Sequence, residues 1–99
     1  MTYTTRVNPR FNRNFGVTLH FPDYQIKGEV RQPSAFGASI EVPEVAYQYL
    51  AQNPALWENR PLTVTTPINT LPAQINALYQ QMGKSFLSLR LLQKRNWYQ

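Results

Sequence analysis

Cysteine is absent from this chain of 99 residues, and histidine occurs once, as His20. Disulfide bonds and thiolate–metal sites are therefore excluded, and one histidine cannot supply a zinc site. The sequence also lacks a glycine-rich phosphate loop, a nucleophile-elbow serine and a carboxylate cluster for calcium. We therefore predict that the protein is not an enzyme and that it carries no metal or cofactor.

Long apolar runs are also missing. No stretch approaches the roughly 20 apolar residues that a membrane-spanning helix needs. The first six residues lack the apolar core of a secretory signal. These features predict a soluble cytoplasmic protein without membrane insertion, and its length leaves room for one domain.

Acidic residues are absent from both ends of the chain. Residues 1–13 and 84–99 carry seven of the ten basic residues, whereas all five acidic residues lie between them, and the net charge is +5. This distribution favours an anionic partner that is met by the termini. It is equally compatible with basic ends that only keep a small domain soluble.

Alternation of apolar and polar residues with a period of two predicts six short strands. A helix is predicted for Glu44–Gln52, where Val45, Tyr49 and Leu50 recur at near-helical spacing before Asn53–Pro54 ends it. Six strands at regular spacing indicate a closed antiparallel barrel or a small sandwich. The predicted strands are Phe15–Phe21, Tyr24–Arg31, Ala38–Val42, Leu62–Thr66, Ala73–Gln80 and Ser85–Leu92. We divide the chain into a flexible basic leader, residues 1–13, and one mainly β domain, residues 14–99.

The same alternation assigns faces to the strands. Ala77 and Tyr79 are predicted to share the face of Ala73 and Ile75 in the fifth strand, and a hairpin turn is predicted at Gln81–Lys84. Side chains predicted to point inward in the first and last strands are Phe15, Val17, Leu19, Phe21, Leu87, Leu89 and Leu91. Those predicted to point outward include His20, Glu29 and Glu41.

Two short motifs carry chemical information. Arg6 and Arg10 lie four residues apart in the leader, and arginine forks bind phosphate or the O6/N7 edge of guanine bidentately. Ser34 offers a hydroxyl at the interruption between the second and third strands, and Gly37 allows close approach of a ligand. The plainer interpretation is that the arginines are solvated charges and that Ser34 and Gly37 make a tight turn.

Together these motifs resemble the signature of PilZ domains, R-x-x-x-R before the first strand and D/N-x-S-x-x-G between the second and third. Arg6 and Arg10 match the first half, and Ser34 and Gly37 match the second, with Gln32 at the Asp or Asn position. The likeness covers nearly the whole chain. It implies a six-stranded PilZ-like antiparallel β-barrel that binds cyclic di-GMP.

Three functions remain open at this point. The first is a cyclic di-GMP receptor or adaptor that changes shape on binding and signals through a protein effector. The second is a degenerate PilZ-like barrel that acts only through protein–protein contacts, since Gln32 departs from the motif. The third, ranked last, is a small basic barrel that binds single-stranded nucleic acid through its basic, aromatic C-terminus. Trp97 would stack on a base in that case, whereas burial against the barrel is its commoner use.

Overall fold

The computed structural model of the protein describes residues 15–93 and Trp97. Six antiparallel strands close into a barrel in the order β1-β2-β3-β6-β5-β4, which confirms the predicted mainly β barrel. The strands are β1 (Phe15–His20), β2 (Gln25–Arg31), β3 (Gly37–Val42), β4 (Pro61–Thr65), β5 (Thr70–Gln81) and β6 (Lys84–Leu91). One α-helix, α1 (Glu44–Gln52), and a 3₁₀ turn (Pro54–Leu56) connect β3 to β4. The predicted leader, residues 1–13, lies outside the described residues.

The barrel interior is filled by alternate side chains of every strand. Fully buried residues include Leu19 on β1, Ile40 on β3 and Leu87 on β6. Apolar side chains that leave water in this way supply the main driving force for folding a small domain without disulfide bonds. The inward faces predicted for the first and last strands are confirmed, with Phe15 half-buried against the core.

Helix α1 has the predicted bounds, Glu44–Gln52. It begins after Pro43 and ends at Asn53, as expected for a helix framed by prolines. Only Leu50 is buried in it, whereas Val45 is 77% and Tyr49 is 49% exposed. The Trp57 indole N–H donates to the Leu50 carbonyl oxygen at 2.9 Å and so satisfies one of the carbonyls that a helix end leaves unpaired.

Strand β5 contains a β-bulge that overturns part of the predicted pattern. The register with β6 shifts between Ile75 and Ala77. A bulge adds one residue to one strand, and the side-chain alternation therefore changes phase there. Asn76 and Ala77 are both exposed, and Leu78 packs against the core. The prediction that Ala77 and Tyr79 share the inner face of Ile75 is therefore wrong.

The turn between β5 and β6 has the geometry that a two-residue hairpin requires. Met82 and Gly83 both have positive φ, 53° and 76°. Two successive positive φ values define the turn whose twist matches that of the flanking strands. The predicted hairpin turn is confirmed.

An aromatic cluster packs the β1–β2 turn against α1. Phe21 stacks on Tyr24 with ring centroids 4.4 Å apart, and Tyr49 meets Tyr24 edge-on at 5.6 Å. The Tyr24 hydroxyl is buried and has no hydrogen-bond partner among the described residues. Burial raises the pKa of Tyr24 to about 12, and Tyr49 adds to the rise while Arg60 opposes it.

Within the described part of the chain, no helix is long and apolar enough to cross a membrane. The same residues contain no group of three or more histidine or carboxylate side chains placed to hold a metal ion.

Candidate ligand-binding groove

The turn between β2 and β3 is organised by the hydroxyl of Ser34. This oxygen accepts hydrogen bonds from the amides of Phe36, at 3.2 Å, and Gly37, at 3.3 Å. The Ser34 amide donates to the Gly37 carbonyl oxygen at 2.8 Å, and the hydroxyl lies 3.3 Å from the same oxygen. A serine that bonds to nearby main-chain groups stabilises a turn. The S-x-x-G spacing therefore fixes the shape of this loop.

Gly37 is required by the packing of two strands. It begins β3 and pairs with Arg90 of β6. A Cβ at position 37 would overlap the carbonyl oxygen of Leu89. Only glycine allows the two main chains to approach this closely.

Gln32 begins the turn in an unusual conformation. Its φ is 49°, in the left-handed region, and its side chain is exposed. This region costs an ordinary L-residue roughly 1–2 kcal/mol, and Asn and Asp tolerate it better. The Asp or Asn of the PilZ signature is thus also the residue type that this backbone favours.

Trp97 ties the C-terminal part of the chain to the same turn. Its side chain is 3% exposed, and its indole N–H donates to the Ser34 carbonyl oxygen at 2.7 Å. The ring also packs against Phe15 at the start of β1, with centroids 6.2 Å apart. Of the two interpretations of Trp97, burial against the barrel is the one observed.

A shallow groove of about 380 Å³ runs from this turn across the outer surface of the barrel. Gln32, Ser34 and Gly37 all lie on its wall. The groove continues over β3, β6 and β5. The further lining residues are Phe36, Ala38, Ser39, Asn76, Ser88, Leu89 and Arg90.

The floor of the groove is held in place by contacts between neighbouring strands. The Ser39 hydroxyl lies 2.7 Å from the Tyr79 hydroxyl, so the two are hydrogen-bonded. Tyr79 in turn stacks on Phe86, with ring centroids 5.1 Å apart. These two contacts link β3, β5 and β6 beside the groove.

Charged residues near the groove differ in what they contact. Arg31, just before the turn, forms ion pairs with Glu29 and Glu41. Lys84 lies 3.9 Å from the other oxygen of Glu41. A second shallow groove, of about 360 Å³, is lined by both of these acids. Arg90 is the charged residue in the lining of the first groove, whereas Lys27, Glu29 and Glu41 line the second.

No protein-family model, curated protein or solved structure matches this chain. The first half of the PilZ-like signature, Arg6 and Arg10, lies outside the described residues. The structure brings together the other three predicted site residues, Gln32, Ser34 and Gly37, on one wall.

Sequence reasoning missed the part of the groove that β5 and β6 provide. Arg90 is one of the basic residues in the acid-free segment 84–99. Its place on an outer face follows from the alternation of the sixth strand, so this signal was available. Asn76 lines the groove next to the β-bulge of β5. No residue type around Asn76 predicts a bulge there.

Proposed function

We propose that the protein is a PilZ-like cyclic di-GMP receptor that signals through a partner protein. The observation that carries the proposal is that Gln32, Ser34 and Gly37 line one groove together with the cation Arg90. The groove extends from the turn onto β3, β6 and β5. A cyclic dinucleotide presents planar bases and anionic phosphates, and an arginine side chain can bind either kind of group.

The two leader arginines complete the site in this proposal. Arginine binds phosphate and the guanine edge bidentately and also stacks on bases. An extended chain spans roughly 13 Å over four residues. Arg6 and Arg10 can therefore grip different parts of one ligand. Ordering of the leader around the ligand would change the surface that an effector meets.

Isothermal titration with cyclic di-GMP tests the proposal. We expect saturable binding, and we expect Arg6→Ala and Arg10→Ala each to abolish most of it. His20→Ala is the matched control, since His20 lies on β1 and hydrogen-bonds to Thr65, outside the groove. Absence of heat at tens of micromolar protein would overturn the proposal.

A second candidate is a degenerate barrel that acts only through protein–protein contacts. Two observations favour it: the Ser34 hydroxyl is hydrogen-bonded within its own turn, and Gln32 replaces the Asp or Asn of the signature. This candidate predicts that the wild-type protein does not bind cyclic di-GMP and that Gln32→Asp does. Binding by the wild-type protein would refute it.

A further inference from the structure

We infer that Arg90 reads the O6/N7 edge of a guanine and sets the preference of the groove for guanine over adenine. The inference rests on the proposed function and names a residue that the PilZ-like signature does not contain. Its support is the position of Arg90 in the sheet, its contacts and the charges around it.

Arg90 lies beside the turn between β2 and β3, which carries Gln32, Ser34 and Gly37 (the motif turn). On β6 it pairs with Gly37 of β3 on one side and with Gln74 of β5 on the other. Gly37, the β3 residue opposite Arg90 in the register, has no side chain. Arg90 and the turn residues thus line one continuous groove.

The guanidinium of Arg90 is available for a ligand. Its one hydrogen bond within the described part of the chain is a long one, from Nη2 to the Gln74 amide oxygen at 3.5 Å. A bond of this length is weak and leaves most of the five N–H donors of the fork unused. Arg31, by contrast, is bound to two carboxylates.

Among the described residues, no acidic side chain lines the groove. Arg90 is the only charged side chain among the described residues that line it. A carboxylate beside it would capture the guanidinium and repel the electron-rich edge of a base. Its absence from this lining leaves a cation over a neutral floor of Ser39 and Ser88.

Guanine is the base that this arrangement fits. Its O6 and N7 are two adjacent acceptors that match the arginine fork, whereas adenine presents an N6 donor in place of O6. With adenine, the arginine would therefore lose the hydrogen bond to O6, and one of its N–H donors would face the N6 donor of the base. Discrimination of this kind between bases amounts to about 5- to 150-fold in affinity.

Titration of wild-type protein, Arg90→Gln and Arg90→Lys with cyclic di-GMP and cyclic di-AMP tests this assignment. We expect Arg90→Gln to weaken cyclic di-GMP binding about 5- to 150-fold, to change cyclic di-AMP binding little, and so to erase the preference. Lysine, a point charge without a fork, should not restore it. Arg60→Gln is the control, since Arg60 is exposed and does not line the groove.

The outcomes separate this inference from the proposed function. Equal weakening of both dinucleotides by Arg90→Gln would make Arg90 a phosphate contact and overturn the guanine assignment. An unchanged preference in Arg90→Gln, with wild-type binding intact, would overturn the inference alone. A wild-type protein that binds neither dinucleotide would overturn the proposed function together with it. Unfolding temperatures of the variants close to wild type would show that the fold is retained.

Discussion

At the scale of single residues, Gln32 and Tyr24 occupy positions that their chemistry disfavours. Gln32 has a left-handed backbone, which favours Asn, Asp or Gly. Tyr24 buries a hydroxyl that has no partner among the described residues. Disfavoured local conformations concentrate at functional sites, and Gln32 lies on the groove wall. Tyr24 does not line the groove, so we expect its buried hydroxyl to affect the free energy of unfolding and not ligand binding.

We predict that Tyr24→Phe raises the free energy of unfolding by about 1 kcal/mol at neutral pH, because a buried, unpaired polar group costs roughly 1–3 kcal/mol. The ring contacts with Phe21 and Tyr49 are kept in this variant. Urea unfolding of the two proteins measures the difference. A variant less stable than wild type would show that the hydroxyl is hydrogen-bonded in solution.

The same pair of proteins has a distinct pH dependence. The pKa of Tyr24 in the folded protein is about 12, above its ordinary value of about 10. Between these values the unfolded chain loses the proton first, so the stability is unaffected below about pH 10 and falls as the pH rises towards 12. We expect the advantage of Tyr24→Phe to grow over this range. If the free energies of unfolding of the two proteins fell in parallel between about pH 10 and 12, this expectation would be contradicted.

At the scale of elements, the turn between β2 and β3 is held from outside by Trp97. The indole N–H bonds to the Ser34 carbonyl oxygen, and Ser34 shapes the loop that carries the motif. Trp57 makes a matched bond to the Leu50 carbonyl oxygen at the end of α1. The two tryptophans therefore fix two different elements by the same interaction.

We predict that Trp97→Phe lowers the free energy of unfolding by about 1–3 kcal/mol, since it leaves the Ser34 carbonyl oxygen without this donor. It should also weaken cyclic di-GMP binding, because the turn loses its support. Trp57→Phe should destabilise the protein similarly but leave the affinity unchanged. Chemical unfolding and calorimetric titration measure the two effects. Equal affinities in both variants would show that Trp97 does not position the turn.

Much of the fold at this scale is predictable from local patterns. The helix between two prolines and the hairpin at Met82–Gly83 follow from residue types with strong conformational preferences. The bulge near Asn76 does not, because it depends on the pairing of β5 with β6. The groove combines residues of three strands and one turn. The turn motif and the outward face of Arg90 were predictable, whereas the position of β5 and β6 beside the turn followed only from barrel closure.

At the scale of the whole molecule, the net positive charge lies in segments of the chain other than residues 15–93, which form the barrel. Residues 15–93 contain five basic and five acidic residues and have no net charge. The entire excess of +5 therefore comes from the segments on either side. In the proposed complex, the barrel supplies the groove and the base contact of Arg90, and the leader supplies two further arginines for the ligand.

Binding to the folded protein alone stabilises the whole molecule. Ligand at 100 times its dissociation constant adds about 2.7 kcal/mol to the free energy of unfolding. For a domain of this size we expect the unfolding temperature to rise by about 10–20 °C with cyclic di-GMP. Differential scanning fluorimetry checks this, with the double variant Arg6→Ala, Arg10→Ala expected to show no shift. A shift of equal size in that variant would place the binding energy outside the leader.

The hydrogen bond from Trp97 to the motif turn has a spectroscopic consequence. The chain contains only two tryptophans, and Trp57 is bound to the helix end. In a Trp57→Phe background, the tryptophan fluorescence of the protein would come from Trp97 alone. Any event that moves the Ser34 carbonyl oxygen would change the environment of that indole. The fluorescence of Trp97 can therefore report on movement of the turn without an added label.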